Sequence, residues 1–258
     1  MSTAFAQAGV RVVFFVCMRT RFTTRAQSAF TLIELLVVIA IVGLLAGMVS
    51  SAAMRARAEA RRAQCMNNLR QMVAAATIYE LDHGVYPPAY EKDFATGETR
   101  TWESFLWSMG TKYRIHQCPS FHGEAMWEDD PYTGYNYNAS YIGGRVLKMD
   151  GAELPASTRS ASMAHIDKPA DCALFGDGEY ESGANKFMRS PWPGALDADA
   201  SMALGGTQGF RHRGRTNIGF ADGHVESRSE RYTDTAAFGE PAQGCGFLSP
   251  DNSLYDLE

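Results

Sequence analysis

The residues best suited to chemistry lie in the second half of the chain, with one outlier near its start. Arg211-His212 is followed, nine residues later, by Asp222-Gly223-His224. Together with Asp177, these imidazoles and carboxylates could gather as a metal or hydrolytic site. Hard oxygen donors at Asp177 and Asp222 would favour calcium there. The plainer reading makes Asp222-Gly223 a tight turn, because both residue types tolerate positive φ, with His212 bonded to the hairpin backbone. We favour that reading and assign neither a catalytic residue nor a cofactor. His116, Cys118 and His122 have the ligand types of a zinc site, but no fourth ligand stands at a zinc spacing. Beyond Cys17, the cysteines are Cys65, Cys118, Cys172 and Cys245. In an oxidising space their even number points to disulfides. We favour Cys65–Cys118, which would tie a helix to the following domain, with Cys172–Cys245 as the remainder. Free buried thiols are an equal alternative. The outlier is Glu34, the one charge in the apolar run Phe30–Met54. A carboxylate in lipid costs several kcal/mol unless it is paired or reaches water. A new amino terminus at Phe30 would supply a cationic partner. No nucleophile elbow, phosphate loop or dinucleotide fingerprint occurs.

These side chains must be positioned by a chain of 258 residues, 45% hydrophobic and 21% charged, with net charge -5. Such values exclude a disordered chain. A mean hydropathy of -0.23 excludes a multi-span membrane protein, and a pI near 5.7 excludes a generic nucleic-acid binder. Residues 1–29 hold Arg11, Arg19, Arg21 and Arg25 and no carboxylate, so the acidity lies entirely beyond them. From Leu35 to Met54 there is no charge, enough helix to span roughly 30 Å of hydrocarbon. A buried soluble helix would keep a polar stripe. Residues 55–83 lack Pro and Gly, and Cys65, Leu69, Met72, Ala76 and Tyr79 recur at steps of four and three. This spacing predicts an amphipathic continuation of the same helix, capped at Gly84 and stopped by Pro87-Pro88. Arginines flank the apolar run on both sides, so charge alone does not orient it.

From residue 84 on, short β-prone runs and Gly/Pro turns dominate. Strands are expected at Tyr135–Ile142, Cys172–Phe175, Asn217–Ala221 and His224–Ser227. Asp222-Gly223 is expected to join the last two with type I′ geometry. Glu181–Gly209 reads as loop, and the segment after about residue 231 carries few periodic signals. Trp102, Trp107, Trp127 and Trp192 read as core rather than a binding face. The expected class is α+β: a long helix resting on an antiparallel β-sheet domain.

The stretch Ala29-Phe30-Thr31-Leu32-Ile33-Glu34-Leu35-Leu36-Val37-Val38-Ile39-Ala40 resembles the type IV prepilin signal, shared by pilins and the pseudopilins of type II secretion. Ala29 stands where that family usually has Gly, and the 29-residue leader is long for it. A true start at Met18 would leave a leader of ordinary length. Arg211-His212 with Asp222-Gly223-His224-Val225 is similar to the prepilin-associated H-x9-DG segment at 212–223. Cys65-Met66-Asn67-Asn68-Leu69-Arg70-Gln71, Cys118-Pro119-Ser120 and Tyr135-Asn136-Tyr137-Asn138 resemble further landmarks of such proteins. The resemblance implies a leader over 1–29, cleavage between Ala29 and Phe30, and N-methylation of Phe30 by a prepilin peptidase/N-methyltransferase. It implies a transmembrane half over 30–54, an amphipathic half over 55–83 and a pilin-like globular domain over 84–258. It further implies a non-enzymatic subunit of a pilus or pseudopilus, single-pass in the cytoplasmic membrane with its N-terminus in the cytoplasm and its C-terminal domain outside. The expected partners are other pilin-like subunits and the inner membrane, with no nucleic acid, and Glu34 would pair with a neighbouring subunit's amine during assembly. The residues alone leave one alternative open: a membrane-anchored enzyme or binding domain with a site near His212 and Asp222.

Overall fold

The computed structural model describes residues 30–107, 117–125, 134–155, 157–180, 183–192, 207–234 and 241–258. The chain divides into two compact units, Met1–Val49 and Ser50–Glu258.

The first unit contributes the start of helix α1 (Leu32–His83). Leu32–Val49 contains no proline, its Gly43 and Gly47 are carried within the helix, and its aliphatic side chains point outward all round: every residue from Phe30 to Arg57 is exposed. The segment is long and apolar enough to cross a membrane, by length and composition. Water is a poor solvent for such a surface, since no polar stripe offers one face to it.

In the second unit the later turns of α1 behave differently. Cys65, Asn68, Leu69, Met72, Val73 and Ala76 are buried, one face of a 3.6-residue period. Tyr79, the last member of the expected stripe, is only half-buried. The helix ends where expected: Gly84 takes φ 77, and its N–H donates to the Glu80 carbonyl at 2.7 Å. The buried face rests on a five-stranded sheet built from β3 (Asn136–Asn138), β6 (Ala173–Gly176), β7 (Phe187–Met188), β9 (Thr216–Phe220) and β10 (Val225–Arg228), in the order β10-β9-β6-β3-β7. Every residue of β6 and β9 is buried, which suits central strands covered on both faces. Gly219 on β9 lets the helix come close: a Cβ there would lie 2.6 Å from Val73 Cγ2. Leu69, Met72, Tyr137, Phe175, Ile218 and Phe220 fill the space between.

A second sheet, β2-β1-β4-β5, comprises β1 (Tyr90–Asp93), β2 (Thr99–Thr101), β4 (Arg145–Met149) and β5 (Ala152–Glu153). A short helix α2 (Trp102–Leu106) follows β2 and buries Trp102. The pair β8 (Gln208–Gly209) and β11 (Cys245–Gly246) completes the unit. The class is α+β, as expected.

Four local expectations are corrected. The sheets are mixed: β7 joins β3, and β1 joins β4, in parallel. The strand expected over Tyr135–Ile142 stops at Asn138, whose side chain accepts the Tyr141 N–H at 3.2 Å and starts a wide turn over Ala139–Gly143. A local side-chain bond has replaced the next ladder bond. The hairpin at Asp222-Gly223 is not type I′, because Gly223 alone has positive φ (97). Gly223 N–H donates to the Phe220 carbonyl and Phe220 N–H to the His224 carbonyl, both at 3.0 Å, giving a turn closed by one left-handed glycine. Within Glu181–Gly209, read as loop, the structure places β7 and β8. The C-terminal segment is likewise structural: Leu254 and Tyr255 are buried in the core.

Candidate functional site

At the start of α1, Thr31 and Glu34 form a reciprocal cap. Glu34 N–H donates to Thr31 Oγ1 at 3.2 Å, and Thr31 N–H and O–H both donate to Glu34 Oε2 at 2.8 Å. This is a capping box, Thr-x-x-Glu, and it fixes where the helix begins. The signal stood in the sequence as Thr31-Leu32-Ile33-Glu34 and was not read there. Phe30 is exposed; Ala29 lies outside the described residues.

A second constellation is buried in the Ser50–Glu258 unit. Cys65 comes from α1, Cys118 from the segment before β3, Asp177 from the end of β6 and His212 from the link between β8 and β9. One ligand atom from each lies within 4.8 Å of every other, and all four residues are buried. Cys65 Sγ is 2.7 Å from Cys118 Sγ, Cys118 Sγ is 3.5 Å from His212 Nε2, and His212 Nε2 is 3.3 Å from Asp177 Oδ2. Arg211 sits beside them. Its Nε–H donates to Cys118 Sγ at 3.4 Å, its guanidinium is 3.5 Å from Asp177 Oδ1 and 3.0 Å from Glu179, and it also donates to the Gly134 carbonyl. Asn217 donates to Asp177 Oδ2 from both its backbone N–H (2.7 Å) and its side-chain amide (2.9 Å).

The charges in this cluster shape one another. Burial pushes the Cys118 thiol up, but the Cys65 thiol, Arg211 and His212 together outweigh it and bring Cys118 down to about 3. Cys65 goes the other way: its hydrogen bond to Cys118, then burial, keep its proton on. Burial works against a charged His212, yet Asp177 and then Cys118 hold it up to about 9. The arrangement is not a nucleophile-base-acid relay. In such a relay the acid holds one ring nitrogen and the nucleophile faces the other. Here Cys118 and Asp177 both meet Nε2, and Nδ1 has no hydrogen-bond partner among the described residues.

The candidates expected near His212 are therefore divided. Asp177 and His212 come together, with two cysteines that had been assigned elsewhere. Asp222 and His224 do not join them. They pair with each other on the exposed hairpin, where the His224 ring stacks on Phe220 with centroids 4.4 Å apart. Among the described residues, the Asp222 carboxylate bonds to His224 and no hydrogen bond or ion pair links it to His212. His122 is exposed and lines a cavity of about 180 Å3 that reaches Arg211 and His212; His116 lies outside the described residues. All four cysteines beyond Cys17 are free and buried. Cys65 and Cys118 are neighbours, Sγ to Sγ 2.7 Å, but as free thiols rather than the favoured disulfide, whereas Cys172 donates to the Tyr255 carbonyl at 3.7 Å and no Cys172–Cys245 bond is formed. Trp102 is core, Trp107 is half-buried, Trp192 is exposed, and Trp127 lies outside the described residues. The four-residue cluster escaped the sequence reading because its members are far apart in the chain and share no spacing motif.

Residues 24–50 match the prokaryotic N-terminal methylation motif. Residues 54–129 match a family described as a protein of unknown function (DUF1559). The chain is 38% identical over 63 residues to the type II secretion system core protein G of Pseudomonas aeruginosa, a match covering 24% of this chain and 44% of that protein. The chain thus spans under half the length of this curated relative. No solved structure matches the chain. A methylation motif across the start of one long apolar helix, a β-rich body after it in the chain and a partial likeness to a type II secretion core protein are features that support a resemblance to the prepilin-like family.

Proposed function

We propose that this chain is a structural subunit of a pilus or pseudopilus, cut between Ala29 and Phe30 and methylated on the new amine. Phe30–Met54 anchors it in the cytoplasmic membrane, with the amphipathic half over 55–83 and the globular domain over 84–258 carried outside. Its partners are a prepilin peptidase/N-methyltransferase and other pilin-like subunits, and it catalyses no reaction of its own. The observation that carries this reading is the methylation motif at 24–50, which runs through helical turns whose apolar side chains are all exposed. Those side chains need lipid or neighbouring helices as their solvent.

Glu34 gives assembly its register. A carboxylate moved into hydrocarbon finds its lowest free energy beside an opposite charge, so a stagger that leaves it unpaired is disfavoured by several kcal/mol. The capping box holds that carboxylate at a fixed place on the first turn. Glu34→Gln separates the two roles, because glutamine also serves in a capping box but carries no charge. The variant is expected to be cleaved and inserted normally. Its filament yield is expected to fall at least about tenfold, the effect of losing about 1.4 kcal/mol per subunit contact. Normal yield from E34Q would remove the register role.

A further inference from the structure

We infer that Cys65, Cys118, Asp177 and His212 bind one thiophilic divalent cation of the zinc class. The inference is independent of the proposed role in a filament. Four separate parts of the chain each deliver one donor to a common point, and all four residues are buried. A tetrahedral site with bonds of about 2.0–2.3 Å has edges of roughly 3.3–3.8 Å. The Cys118–His212 and His212–Asp177 separations, 3.5 and 3.3 Å, already fall in that range. The Cys65–Cys118 contact, 2.7 Å, must open by about 1 Å, and the remaining donor pairs all lie within 4.8 Å.

The convergence of Cys118 and Asp177 on one nitrogen is the second observation. One Nε2–H cannot serve two acceptors well, but one cation beside Nε2 serves all three groups. The surroundings support the ligands as outer partners do in metal centres. Asn217 fixes Asp177 Oδ2 with two donors, and Arg211 lies against both Cys118 and Asp177. Two thiolates, one carboxylate, a neutral imidazole and a divalent cation sum to one negative charge, which Arg211 balances. The thiol and imidazole protons leave to solvent as the cation enters. A cavity of about 180 Å3 borders His212. Two sulfurs make the set soft, so calcium, suggested by Asp177 and Asp222 in the sequence, is the wrong ion for it.

The test uses the full chain in detergent, reduced and stripped with a chelator, then titrated with Co2+ and, in competition, Zn2+. One equivalent of Co2+ should produce a sulfur-to-metal charge-transfer band and the absorption of a tetrahedral centre, and Zn2+ should abolish both. Asn217→Ala should weaken binding about ten- to a hundredfold, the usual effect of removing an outer partner. Cys172→Ser should leave the titration unchanged. Because a ligand variant such as Cys118→Ser could fail to fold, Asp177→Asn, which keeps the side chain's size, serves alongside it; it should fold and lose the tetrahedral signature. Absence of the charge-transfer band from the folded, reduced wild type would overturn the inference. So would protein isolated without reductant in which every molecule carries a Cys65–Cys118 disulfide and no metal.

Discussion

Gly219→Ala probes the contact on which the whole β-rich unit depends, the seat of α1 on the five-stranded sheet. A Cβ at residue 219 would stand 2.6 Å from Val73 Cγ2, where carbon atoms prefer about 3.5–4.0 Å. About 1 Å must come from somewhere. Val73 is 1% exposed, and a β-branched side chain on a helix has essentially one χ1 well, so the helix itself must lift. Overpacking of this kind costs about 1–3 kcal/mol, or about 2–12 °C in Tm for a chain of this size. Val73→Ala alone removes two buried methyl groups and costs about 2 kcal/mol. In the double variant the new methyl occupies part of the space the old ones left. The pair should therefore cost at least about 1 kcal/mol less than the two single changes added together. The assay is denaturant unfolding of all four proteins in the same detergent. Costs that add to within about 0.5 kcal/mol would show that residues 73 and 219 do not touch, and the account of how α1 meets β9 would fail.

Three further outcomes are expected. Lys186 Nζ lies 2.6 Å from Glu103 Oε1, with both side chains almost wholly buried; Lys186→Met should destabilise by about 3–5 kcal/mol, while E103L/K186M recovers most of the loss. Burial pushes the Glu103 carboxyl up, an effect that Lys186 only partly offsets; a carboxyl raised in the folded state binds its proton on folding, so the Tm of K186M should fall as pH rises above the range in which an unfolded carboxyl titrates. Asn138 Nδ2 donates to the Ala173 and Tyr255 carbonyls at 2.9 and 2.8 Å, and Asn138→Ala, which strands both, should cost about 2–4 kcal/mol by chemical denaturation. Asp222→Asn, on the exposed hairpin, should change stability by less than about 0.5 kcal/mol and leave the cobalt spectrum unchanged.

What could be read in the sequence was whatever depends on near neighbours. Cys65, Leu69, Met72 and Ala76 share a helical face by spacing alone, and all four are buried. Runs at 172–175, 217–221 and 224–227 are β-prone and lie within a residue or so of β6, β9 and β10. Gly84 followed by Pro87-Pro88 announced the helix end. The misreadings came from competition that spacing does not show. Asn138 can extend a strand or cap a turn, and the Tyr141 N–H decided it. Asp222 tolerates positive φ, but a single left-handed residue at Gly223 was enough to close the hairpin. The buried cluster was beyond reach for a different reason. Cys65 and Cys118 are 53 residues apart, and Asp177 meets His212 only because β6 pairs with β9. No local pattern encodes that pairing. Sequence reasoning placed Asp177 beside His212 and Cys65 beside Cys118, but as two separate groups, and it added Asp222 and His224 to the first and weighed His116 and His122 with Cys118.

The central claim is that this chain enters the membrane as a precursor and works as a trimmed, methylated subunit. Mass spectrometry of the amino-terminal peptide, taken from the chain in its native membrane, tests it most directly. The account predicts a peptide beginning at Phe30 and carrying one added methyl group on its amine. A peptide that still begins at Met1 or Met18, with the junction between Ala29 and Phe30 uncut, would contradict it.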